Sequence, residues 1–228
     1  MTGAATFLAL AVVALVQAPE SAPPVSIELS GKLYRAVFSP GPGTLTANDL
    51  AAVPEPARER LNRFLARRAA FTSRYTHEAS SFEQARVDAK KREIERAIVA
   101  LIDAPGIEDR ALDFVKSAPI SVDWQGKWEG PLTEAAAAEE FLKGTPSSPL
   151  APYLYAFIAH RQRAAFEAYA KAQNADGMKT SSKKYRTFLQ RARSSSDPIF
   201  TMIADDLDRQ THVYLKSEHH PATYDPDT

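Results

Sequence analysis

Residues 151–173 read APYLYAFIAHRQRAAFEAYAKAQ, and this stretch decides the fold. Leu154, Phe157, Ile158, Ala165 and Ala168 recur at helical spacing, with Tyr155, Phe166 and Tyr169 beside them. A helix apolar round most of its circumference belongs at the centre of a helical assembly, not on its surface. Arg161 falls in the middle of the apolar face. A buried guanidinium requires a carboxylate or several carbonyl partners, because an unpaired buried charge is very costly. Asp205, Asp206 and Glu140, on neighbouring helices, are the candidate partners. His160 is adjacent but points about 100° away.

Helical patterns continue on both sides. Upstream, Thr46 caps a short turn over Ala47 to Val53. Ala57, Leu61, Phe64, Leu65, Phe71, Thr72 and Tyr75 then share one face, with Arg60, Arg63, Arg67 and Arg74 mostly on the other. Ser80 with Glu83, and Ser81 with Gln84, have capping-box spacing. The helix they open buries Val87, Ile94, Ala97, Ile98 and Leu101, and Pro105-Gly106 stops it. Ile107, Ala111, Phe114 and Val115 mark a shorter helix. A loop from Ile120 to Pro131 carries Trp124 and Trp128, and an alanine-rich helix follows over Leu132 to Lys143. Downstream, Met178 to Arg193 is amphipathic, and Asp197 caps a last helix with Pro198 at its first position.

The N-terminal part reads differently. From Ala4 to Val16 the chain is AATFLALAVVALV, about 13 apolar residues, the anatomy of a secretory signal and too short for a span of roughly 20. Val25, Ile27 and Leu29 alternate with polar residues, so Val25 to Phe38 is expected as a short hairpin, with Leu33 to Phe38 as its return strand, or as an extended arm. The organisation expected is therefore a signal peptide or apolar segment over 1–22, an arm or hairpin over 23–45, a single helical domain over 46–216 and a disordered tail over 217–228.

Composition narrows the chemistry. The 228 residues hold 28 Lys plus Arg against 28 Asp plus Glu, so no global charge points to nucleic acid. The absence of cysteine excludes disulfides, thiol nucleophiles, Cys-ligated metals and lipoprotein anchoring. His77-Glu78 begins a zinc-protease motif, but Ser81 stands where the second histidine is needed. There is no phosphate loop, no dinucleotide fingerprint and no nucleophile elbow. Catalytic, cofactor and metal residues are accordingly assigned to none.

Two stretches repeat: EEFLKGTPSSPLAPYLYAFIA from Glu139 and RTFLQRARSSSDPIFTMIADDL from Arg186. In each, a helix ends in Phe-Leu, a polar turn and a proline follow, and a second apolar helix begins. Forty-seven positions separate Phe141 from Phe188. Ala138, Phe141, Leu142, Pro146, Ser148 and Ala151 take the places of an A-x-x-F-L ending joined to a P-x-S-x-x-A start. In this the segment 135–207, about a third of the chain, resembles tetratricopeptide-type repeats of bacterial envelope proteins. The family's usual period of about 34 residues is shorter than the one here. The resemblance implies helical hairpins stacked as an array or bundle, and a scaffold that binds partners.

The function expected is thus an exported, periplasmic or secreted helical scaffold, without a transmembrane helix in the mature chain, that binds a protein or peptide partner of the envelope. The alternative is a small envelope enzyme or ligand-binding protein with a pocket near Arg161 and His160. Other candidate binding residues are Trp124 and Trp128, as an aromatic surface or as plugs over a helix end. Lys183 and Arg186 belong to the strongly basic helix over 178–193, which carries no interleaved aromatics for nucleic acid.

Overall fold

The computed structural model describes residues 29–38, 45–145 and 147–214. The signal segment, most of the first expected strand and the tail over 217–228 lie outside these residues. Among the described residues there are eight α-helices and no strand. They are α1 (Lys32–Phe38), α2 (Ala57–Ala70), α3 (Phe82–Leu101), α4 (Ile107–Ser117), α5 (Glu129–Gly144), α6 (Ala151–Lys171), α7 (Ala175–Arg193) and α8 (Pro198–Asp208). A single 3-10 turn, Ala47–Leu50, precedes α2. None of these helices is long and apolar enough to cross a membrane.

Helix α6 occupies the centre, as its composition requires. Tyr153, Leu154, Ala156, Phe157, Ile158, Ala159, Ala164 and Ala165 are all fully buried. It packs most extensively along α7, then along α5, and also meets α8. Alanines at 135 and 138 on α5 and at 164 and 165 on α6 are fully buried. Side chains this small let helix axes approach closely. In the other half α3 packs against both α2 and α4. Helices α1 and α8 join the halves, α1 packing on α3 and α8 on α2, so that one continuous core results.

The helix ends follow local chemistry. The side chain of Ser81 accepts from Gln84 N at the start of α3, that of Asn174 from Gly177 N at α7, and that of Asp197 from Ile199 N at α8. The α2 arginines are more than a solvated face. Arg60 donates to Leu101 O at 2.6 Å, and Arg67 to Val99 O at 2.8 Å and Ile102 O at 2.9 Å. They satisfy carbonyls that the end of α3 leaves open.

Two expectations are corrected. The run from Leu33 to Phe38 is helix α1, not a return strand. Leu33, Ala36, Val37 and Phe38 are fully buried, so the segment is covered nearly all round and strand periodicity loses its meaning. The start of α1 is held from far away: Asp206 accepts from Gly31 N and Tyr34 N, both at 2.9 Å. Gly31 stands there at φ 77°, a left-handed conformation that strains any residue with a Cβ. The helical face read as far as Tyr75 stops at Ala70. Beyond it the chain straightens, and the buried Glu95 carboxylate gathers Arg74 N, Tyr75 N and the Ser73 hydroxyl. Those bonds compete with helix continuation and win.

Candidate functional site

The residues singled out by sequence fall into two places, a buried polar cluster and an open groove. The cluster is built on α6. Arg161 is fully buried, and its Nε donates to Glu134 Oε2 of α5 at 3.0 Å, with neither side chain exposed. The guanidinium lies 3.8 Å from the centre of the Phe157 ring, one turn earlier on α6. The other Glu134 oxygen accepts from Trp124 Nε1 and from Ser121 N, both at 2.9 Å. The carboxylate is thus held by three N–H donors, which is what keeps an ion pair tolerable at this depth.

The partners expected for Arg161 are each engaged elsewhere. Asp206 holds α1, Asp205 pairs with Arg193, and Glu140 pairs with Lys143. Glu134 stands among small residues on the buried face of α5, with Ala135 and Ala138 beside it. That setting, a carboxylate in an alanine-rich inward stripe, was the available signal.

His160 is also fully buried, and Arg161 Nη1 donates to its Nδ1 at 3.0 Å. Burial, together with the Arg161 charge, holds the imidazole well below its usual pKa, so it is neutral. A neutral ring accepting at Nδ1 carries its proton on Nε2. That Nε2, Arg161 Nη2 and the Tyr153 hydroxyl are buried without hydrogen-bond partners among the described residues. Phe38 adjoins all three residues: its ring lies 5.2 Å from that of His160, 5.8 Å from that of Tyr153 and 6.0 Å from the guanidinium.

Trp124 and Trp128 form no common aromatic surface. Trp124 is 3% exposed and covers the ion pair, its ring 5.5 Å from the guanidinium. A Cβ on residue 130 would come within 2.6 Å of this indole, so Gly130 is needed there. Tyr214 closes the outside, its ring edge-on to Trp124 and its hydroxyl donating to Trp124 O and Lys127 O. Trp128 instead stacks on Tyr169 of α6, with ring centres 4.8 Å apart.

The groove begins at that Tyr169. It is a depression of about 500 Å³ between α5 and α7, with α6 as its floor. Leu132, Ala136 and Glu139 form its α5 side, and Asp176, Gly177, Thr180 and Lys184 its α7 side. Lys184 Nζ reaches across to Glu139 at 2.8 Å. A second depression, lined by α7 alone, adjoins it at Asp176, Thr180 and Lys184 and takes in Lys179, Lys183 and Thr187. On the floor, Gln162 is 2% exposed and its Oε1 has no hydrogen-bond partner among the described residues. Arg186 is exposed on α7, in line with Lys183 one turn before it. The pattern of α6 concealed Gln162, because a polar residue on a helix apolar all round gives no sign of which neighbour it meets.

Comparison of the chain with protein-family models, curated proteins and solved structures finds no match. Among the described residues no three His, Asp or Glu side chains converge as a metal site. The geometry therefore carries the functional reading by itself.

Proposed function

We propose that this chain is a non-catalytic helical scaffold that holds a peptide segment of a partner protein in the groove between α5 and α7. One observation carries the reading: a depression of about 500 Å³ opens between α5 and α7, with Gln162 and Tyr169 of α6 at its floor. An extended segment lying in the groove would cover this floor and meet both walls. The Leu132 and Ala136 wall offers apolar contact, while Asp176, Thr180 and Lys184 offer polar contact on the other side.

The order of packing, α5 on α6, α6 on α7 and α7 on α8, supports two stacked hairpins of the tetratricopeptide type. The apolar run from Ala4 to Val16 supports export, which makes the partner a component of the envelope. Complete burial of Arg161 and His160 weighs against a small-molecule pocket there.

The test places a photo-crosslinking amino acid at Ala136 or Thr180 in the groove, and at Lys116 on α4 as a control. The captured segment is identified by mass spectrometry, and a synthetic copy is titrated against the purified chain and its Ala136→Trp variant. Capture at the groove positions only, with binding abolished by the bulky tryptophan, is the expected result. Equal capture at Lys116, or binding unaffected by Ala136→Trp, refutes the reading.

A further inference from the structure

Helix α7 carries its cations unevenly. Arg193 pairs with Asp205 and Asp208, Lys184 pairs with Glu139, and Arg191 lies over the rings of Tyr155 and Phe188. Lys179, Lys183 and Arg186 are exposed, and no carboxylate among the described residues pairs with them. Their spacing of four and then three residues puts them on one stripe of the helix, within about 60° of arc. Lys179 and Lys183 line the depression on α7 that adjoins the groove, and Arg186 continues the stripe one turn beyond Lys183. The charged residues lining the groove and the depression beside it are Lys179, Lys183 and Lys184 against Asp176 and Glu139, an excess of one cation in a chain with no net charge, and Arg186 stands exposed one turn past Lys183.

The stripe also has a repeat. Lys179 to Lys183 is about 6 Å along the helix axis, and Lys183 to Arg186 about 4.5 Å. Alternate residues of an extended peptide are about 6.6 Å apart and lie on one side of it. A peptide with its backbone over Gln162 and acidic residues at alternate positions would set one carboxylate near each cation. Its other face would lie on Leu132 and Ala136.

We infer that the segment bound in the α5–α7 groove is an acidic, extended stretch of a partner protein, with carboxylates at alternating positions read by Lys179, Lys183 and Arg186. This rests on the groove reading above and adds the chemistry of the occupant. Three exposed pairs at a few tenths of a kcal/mol to 1 kcal/mol each amount to roughly tenfold in affinity, and they fade with salt.

The experiment selects displayed random peptides of about eight residues, enough to run the length of the groove in extended form, against the full chain. Winners are measured by fluorescence anisotropy on the wild type, on Lys183→Glu/Arg186→Glu and on Ala136→Trp. The inference expects winners rich in Asp and Glu at alternate positions. Their affinity should fall roughly tenfold with the charge reversal, fall with added salt, and vanish with Ala136→Trp. Neutral or basic winners that Ala136→Trp abolishes would overturn the acidic assignment and leave the groove standing. Acidic winners indifferent to Ala136→Trp would overturn both, since they would bind the stripe outside the groove. A selection that yields no winner overturns both as well.

Discussion

The Glu134 carboxylate and the Arg161 guanidinium meet at 3.0 Å with neither side chain exposed to solvent. The pair ties α5 to the central helix, and the two residues are not equivalent in it. Glu134 also accepts from Trp124 and Ser121, whereas among the described residues the Arg161 guanidinium donates one further hydrogen bond, to His160. Glu134→Leu strands a buried cation and two N–H donors, and is expected to cost about 3–5 kcal/mol. Arg161→Met leaves Glu134 with two donors, so its cost should be smaller. The double variant should lose clearly less than the sum of the single losses, because no charge is left alone. Urea denaturation of the four chains measures this; additive losses would show that the pair is not coupled.

Tyr153 makes the opposite prediction. Its hydroxyl is fully buried and has no hydrogen-bond partner, while its ring packs against Phe38 and Phe157. Tyr153→Phe keeps the packing and removes a desolvated polar group, so stability should be unchanged or rise by up to about 1 kcal/mol. A loss of 1 kcal/mol or more in thermal or urea unfolding would mean that the hydroxyl has a partner in solution.

Most helices of this chain are legible because their apolar residues recur at helical spacing, and α3, α7 and α8 open on the capping side chains Ser81, Asn174 and Asp197. Helix α1 is not legible, since five of its seven residues are buried and its N-terminal N–H groups are satisfied by Asp206, 175 positions away from Gly31. The burial of Arg161 could be read from its place on α6, but its partner could not. Three nearer-looking carboxylates had other tasks that only the packing reveals. Beside the groove, Lys183 and Arg186 stand out in the sequence as charges, while Gln162 and Tyr169 acquire meaning only once α5 and α7 flank α6.

The anchoring of α1 by Asp206 should be visible in the pH dependence of stability. Burial pushes this carboxyl above its ordinary value of 3.8, although the backbone N–H groups it accepts from pull the other way. Between 3.8 and the raised value, the folded chain binds more protons at this site than the unfolded chain. The contribution of Asp206 to stability therefore grows as pH falls through that window. Asp206→Asn removes the titration, and its amide cannot accept from both Gly31 N and Tyr34 N. The variant should be less stable at neutral pH by about 1–3 kcal/mol. Its deficit relative to the wild type should widen on acidification. A deficit that narrows toward pH 4 would show that the carboxyl titrates low.

Lys90 of α3 supplies the last test, because it lies at the edge of the buried cluster. Its Nζ donates to Ser121 O at 2.7 Å and lies 5.8 Å from the centre of the Trp124 ring. Burial holds the amine down to about 8 from an ordinary 10.5, against the pull of Glu134 and with the help of the Arg161 charge. Here the unfolded chain binds the extra proton, so between about 8 and 10.5 the Lys90 contribution to stability rises with pH. Labelling the lysines by reductive methylation with carbon-13 should give one dimethylamine resonance that titrates near 8, apart from the others. That resonance should be missing in Lys90→Arg, and it should move upward in Arg161→Met, where the neighbouring cation is gone. If every resonance in the folded chain titrates above 10, the Lys90 amine is solvated and the cluster does not extend to α3.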